Sequence, residues 1–112
     1  MHYQTSPHEE DKLVTCIKGA IYDVIIDLRA DSPTYRQWCF AELSEKNRMA
    51  LYIPKGFAHG FQTLTDDALV LYQISKHYHP ECARTIRWDD PVYRIAWPPC
   101  DRRILSEKDR ND

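Results

Sequence analysis

The chain has no Cys-x-x-Cys pair, no long apolar run, no internal repeat and no marked excess of either charge. Each gap argues against a class of protein. Its four cysteines, Cys16, Cys39, Cys82 and Cys100, are scattered, which argues against a disulfide framework and against a thiolate zinc centre. Cys16 and Cys39 fall inside apolar, strand-like runs, where a free thiol behaves as a small hydrophobe. With 15 basic against 17 acidic side chains, nothing marks a surface for nucleic acid or membrane. A single pocket can still be basic while the whole is nearly neutral. The lack of a signal peptide, a membrane-length apolar stretch or a lipidation motif points to the cytoplasm. No linker or low-complexity stretch divides the sequence, so residues 1–112 are expected to form one domain. A chain of this length can bury about two thirds of its unfolded surface without staples.

What is present is a regular series of short strands. Three glycines, seven prolines and many β-branched or aromatic residues suit strands separated by turns. The clearest strand is Ile21–Leu28, in which Tyr22, Val24, Ile26 and Leu28 make one wholly apolar face. Ile21, Asp23, Ile25 and Asp27 make the mixed face opposite. Leu13–Lys18 reads as its partner strand, with Lys18-Gly19 marking the turn between them. Asp31-Ser-Pro-Thr34 is a turn before a strand through Trp38, Phe40 and Leu43, and Ser44-Glu-Lys-Asn47 is a turn before Met49–Ile53. Phe61–Leu64 and Ala68–Ser75, parted by Asp66-Asp67, complete the series. Such spacing predicts an all-β sandwich or barrel, with a jelly roll fitting best. Pro80, Pro91, Pro98 and Pro99 forbid a long helix in the last quarter and leave an irregular tail. Trp88 and Trp97 are expected to anchor that tail by packing, and the charged stretch from Asp101 is either a short helical turn or mobile.

The run Tyr52-Ile-Pro-Lys-Gly-Phe-Ala-His-Gly-Phe61 is the most informative part of the chain. It reads as a strand end, a Pro-Lys-Gly turn and a histidine between two aromatics, followed by a glycine that admits close backbone approach. Alongside it stand His2-Tyr-Gln, Lys12-Leu-Val, Asp27-Leu-Arg-x-x-Ser-Pro-Thr34, Trp88-Asp-Asp-Pro91 and Leu105-Ser-x-Lys-Asp109. In order and rough spacing, these motifs resemble the cofactor-independent dTDP-4-dehydrorhamnose 3,5-epimerases from His2 to Asp109. The resemblance implies a cupin-like jelly-roll fold with an irregular, proline-rich C-terminal tail. It also implies a dTDP-4-keto-6-deoxyhexose as substrate, no cofactor or metal, and a homodimer.

The implied chemistry is epimerisation at C3, C5 or both. A C4 ketone acidifies the neighbouring C–H bonds, so a base can remove a proton and an acid can return one from the opposite face of the ring. By resemblance, His2 is the base, Asp109 the carboxylate that pairs with it and Tyr72 the proton donor. Lys12, His59 and Lys108 contact substrate, and Tyr78 stacks on the thymine. Read without the resemblance, each residue has a plainer role. His2 is then a frayed terminus, Asp109 a solvated charge, Tyr72 a core phenol, Lys12 a surface charge and His59 a satisfied core histidine.

There are departures from the family pattern. Ala83 stands where the family carries a substrate-binding Glu, with Glu81 close by, and the nucleotide-gripping segment that precedes the catalytic His in the family is missing. Met1 occupies the variable position of an Arg-Gly-x-His motif and is therefore expected to be an internal methionine. Two other readings stay open. One is a catalytically impaired nucleotide-sugar-binding or structural module. The other is a metal-dependent cupin built on His77-x-His79, against which no completing carboxylate stands at a clear spacing.

Overall fold

A computed structural model describes residues 1–111. Its strands are β1 (His2–Gln4), β2 (Lys12–Lys18), β3 (Ala20–Asp27), β4 (Trp38–Ser44), β5 (Ala50–Ile53), β6 (Phe57–Thr63), β7 (Leu69–Ile74) and β8 (Ala83–Thr85), followed by a short helix, α1 (Glu107–Asn111). All strand pairs are antiparallel. They form a five-stranded sheet in the order β4-β3-β6-β1-β8 and a three-stranded sheet in the order β5-β2-β7. The two sheets pack face to face as a sandwich.

The sandwich interior is filled by Val14, Cys16, Ile21, Ile25, Leu43 and Ile53, with Phe57, Phe61 and Val70 against them. Strand β3 lies between β4 and β6 and is buried on both sides. Ile21, Asp23 and Ile25 face the smaller sheet, so the mixed face points inward. Its wholly apolar face instead meets the C-terminal strap, where Val24, Ile26 and Ala58 pack with Ile86, Tyr93, Ile95 and Trp97. A strand covered on both faces needs little polar alternation, as its composition shows. Trp97 anchors the strap as its sequence suggested, meeting the Tyr22 ring edge-on at 6.1 Å and donating its indole N–H to Trp88 O at 2.7 Å.

The expected pairing of Leu13–Lys18 with β3 is overturned. Strand β2 pairs with β5 and β7 in the other sheet. Only Gly19 separates β2 from β3, too few residues for a hairpin within one sheet. With φ +75°, Gly19 turns the chain from one layer into the other. Cys39 also departs from expectation, since it is exposed on edge strand β4, whereas Cys16 is buried; the four cysteines are free thiols.

The Asp27-Leu-Arg-x-x-Ser-Pro-Thr34 motif forms a closed knot at the end of β3. Buried Asp27 accepts from Arg29 Nε and Nη2 at 3.0 Å each, from Ser32 Oγ at 2.6 Å and from Thr34 Oγ1 at 2.5 Å. These donors, the Arg29 guanidinium foremost, hold its carboxyl well below the usual carboxylate range. A second local device sits at α1. Ser106 Oγ accepts the Asp109 backbone N–H at 3.2 Å and donates to Asp109 Oδ2 at 2.9 Å, a reciprocal cap of the Ser-x-x-acid kind. It fixes which way the Asp109 carboxylate points.

Candidate active site

Five side chains from five separate elements converge at the open end of the sandwich. In the β1–β6 ladder His2 lies directly opposite His59, and directly opposed residues project from the same sheet face. Across the gap, Lys12 opens β2 and Tyr72 sits on β7 opposite Val14, both on that strand pair's inward face. Asp109 arrives from α1. His2, Lys12, His59, Tyr72 and Asp109 together line a cavity of about 410 Å³, with Phe61, Trp88, Trp97 and Leu105 as its apolar wall.

The His2 imidazole is held from both sides. Its Nε2 lies 2.8 Å from Asp109 Oδ1, and its Nδ1 lies 3.4 Å from Thr85 Oγ1 on neighbouring β8. The approach to Asp109 is close but not well aligned for a hydrogen bond. Oδ1 is otherwise a buried acceptor without a partner among the described residues. Burial lowers the His2 pKa, the adjacent terminal amino charge lowers it further, and Asp109 opposes both. The net direction leaves a neutral imidazole near neutral pH, the form a base requires.

The second histidine is more deeply held. His59 is buried, and its Nε2 lies 2.5 Å from Asp23 Oδ1, a buried acidic side chain on the mixed face of β3. The His59 ring meets the Tyr72 ring edge-on at 5.9 Å. Burial and, secondarily, the Asp23 charge push the Tyr72 phenol up to about 12, so it keeps its proton. Lys12 is mostly buried, with Nζ 3.5 Å from Glu10 Oε1. One rim of the site thus offers an uncharged base, the other a protonated phenol, and between them stand a cation and a carboxylate-bound imidazole.

Tyr78 and Lys108 do not reach this cavity. They line an adjoining hollow of about 300 Å³ that His2 also borders, with Lys108 Nζ 6.0 Å from the Tyr78 ring centre. Ala83 lines the same hollow. Glu81 does not replace the missing carboxylate there, since its Oε1 lies 3.2 Å from His79 Nδ1. A larger trough of about 540 Å³ runs beside the site and shares Phe61, Trp88, Trp97 and Leu105 with it, but none of the seven proposed residues. The His77-x-His79 pair does not form a ligand set. His79 stacks on His8, and His77 takes no part in that group.

Sequence reasoning missed Asp23 and Thr85. Asp23 left a signal, as a charge alternating with Ile21 and Ile25 in a strand otherwise suited to a core. Thr85 left none, because its place beside His2 comes from the β1–β8 pairing (His2↔Thr85). The glycine after His59 does admit a close neighbour: a Cβ at Gly60 would lie 2.6 Å from Met1 Sδ.

The family model described as dTDP-4-dehydrorhamnose 3,5-epimerase matches residues 1–112. The dTDP-4-dehydrorhamnose 3,5-epimerase of Sinorhizobium fredii is 46% identical over 109 residues, covering 97% of this chain and 56% of that protein. Among solved structures, the Bacillus anthracis dTDP-4-dehydrorhamnose 3,5-epimerase with TDP and PPi bound superposes with a TM-score of 0.94 at 44% identity. The match covers 98% of this chain and 62% of that one. The Legionella pneumophila dTDP-6-deoxy-D-glucose-3,5-epimerase, in complex with dTDP-4-keto-L-rhamnose, gives a TM-score of 0.92 at 42% identity, covering 97% and 57%. The jelly-roll expectation therefore holds. The chain spans less than two thirds of the length of these relatives.

Proposed function

Because this chain belongs to the dTDP-4-dehydrorhamnose 3,5-epimerase family, we propose that its cavity epimerises a dTDP-4-keto-6-deoxyhexose at C3, C5 or both. The observation that carries the reading is the gathering of His2, Lys12, His59, Tyr72 and Asp109 around one cavity of about 410 Å³. His2 takes the proton on the carbon beside the C4 ketone, with Asp109 holding the imidazole and stabilising the imidazolium that forms. The electron pair moves onto the ketone oxygen. Lys12 and His59 are placed to stabilise that enolate, and Asp23 fixes the His59 ring. Tyr72 returns a proton from the other side, which inverts the centre.

The adjoining hollow takes the nucleotide. Tyr78 offers a flat ring for the thymine, and Lys108 a cation for the diphosphate. One domain and a homodimer belong to the same proposal. The outward face of the three-stranded sheet leaves Ile17, Tyr52, Leu69 and Leu71 about half exposed, apolar surface of the kind a second copy covers.

The test is deuterium incorporation from D2O at C3 and C5 of the dTDP-4-keto-6-deoxyhexose, followed by NMR with no metal added. Incorporation that disappears in His2→Ala is the expected result. Thermal stabilisation by dTDP without any exchange would instead make this chain a binding module, a reading that Ala83 in the nucleotide hollow favours.

A further inference from the structure

We propose that His8, His79 and Glu81 form a binding site for a zinc-type divalent cation that clips two surface loops together. His8 lies in the β1–β2 loop; His79 and Glu81 lie in the β7–β8 loop. One ligand atom from each of the three side chains can be chosen so that all lie within 4.8 Å of one another. Zinc bonds of ~2.0–2.1 Å in a tetrahedron place neighbouring ligand atoms roughly 3.4 Å apart. The His79 Nδ1 to Glu81 Oε1 separation, 3.2 Å, is already that of a tetrahedral edge. The two imidazoles stack with centroids 3.4 Å apart and planes 8° from parallel. Turning the rings about their broad, sp²-type torsions brings one nitrogen of each toward a shared point. Two imidazoles and one carboxylate, with a fourth position for water, suit zinc better than calcium or magnesium, which favour all-oxygen shells.

The loops are held in place without the ion. Gln4 is buried; its Nε2 donates to His8 O at 2.8 Å, and its Oε1 accepts the His79 backbone N–H at 2.8 Å. One side chain therefore staples the backbones of both histidines, and a cation would add a second link between them. The site lies outside the cavity that holds His2 and takes no part in the proton transfers. It immediately follows Tyr78, so filling it would stiffen the strip that carries the nucleotide-stacking ring.

Cobalt(II) and zinc titrations of the whole chain test this. One cobalt per chain is expected, with d–d bands of nitrogen and oxygen ligation and no thiolate charge-transfer band, and zinc should raise the thermal midpoint. His8→Ala and His79→Ala should each weaken binding by more than the ~10–100-fold cost of losing a supporting hydrogen bond, and Glu81→Gln should weaken it less. Zinc should no longer raise the thermal midpoint in either histidine variant. Absence of binding, binding that survives His8→Ala and His79→Ala together, or a charge-transfer band lost with Cys39→Ser and Cys100→Ser would overturn the proposal.

Discussion

Asp109 acts on His2 in two ways that a substitution separates. It props the imidazole against burial and the nearby amino charge, and its negative charge raises the His2 pKa where the other neighbours lower it. In Asp109→Asn the cap on α1 survives, but that support is lost, so the His2 pKa falls further. The rising limb of the exchange rate with pH, expected below ~6.5 in the parent chain, should move to lower pH. The plateau should drop by about 10²-fold or more. A limb that moves upward would mean the carboxylate does not act through His2. Under the proposed mechanism, Tyr72→Phe removes only the returning proton. Inversion should slow by about 10²-fold while loss of deuterium from labelled substrate continues, both read in one NMR time course. That His2, Tyr72 and Asp109 share one cavity was legible because family motifs flank them. Their own surroundings in the sequence carry no such sign, since the cavity is assembled from distant strands.

At the level of elements, strand positions were readable and strand partners were not. Alternation and turn residues located most strands within a residue or two, yet they assigned β2 to the wrong sheet. A sequence pattern reports which side of a strand is apolar; it carries little about which strand lies beside it. The Gly19 bend makes that choice. Gly19→Ala would combine a left-handed φ of +75° with a Cβ 2.2 Å from Thr65 Oγ1 and 2.9 Å from Asp67 O. A loss of about 2 kcal/mol or more is expected in urea unfolding. The strap follows its sequence more closely: an irregular, proline-rich tail with a tryptophan anchor was expected, and Trp97 packs it over the larger sheet. Trp97→Ala should cost about 3 kcal/mol, measured by the same unfolding curve.

For the molecule as a whole, the Asp27 knot makes stability depend on pH in the acid range. Its carboxyl has a folded pKa below its unfolded value, so the stability it contributes is complete above ~4 and is lost as pH falls through the folded value. Asp27→Asn should remove about 2 kcal/mol at neutral pH and flatten the dependence of stability on pH below about 4. Equilibrium unfolding at a series of acidic pH values checks both. The roofing of one sheet face by residues made late in the chain has a further outcome. During synthesis, which runs at roughly 5–20 residues per second, Val24 and Ile26 leave the ribosome well before Ile95 and Trp97 exist to cover them. For that interval the nascent chain presents a greasy, half-built sheet, so a chaperone that binds emerging polypeptides would find its foothold there.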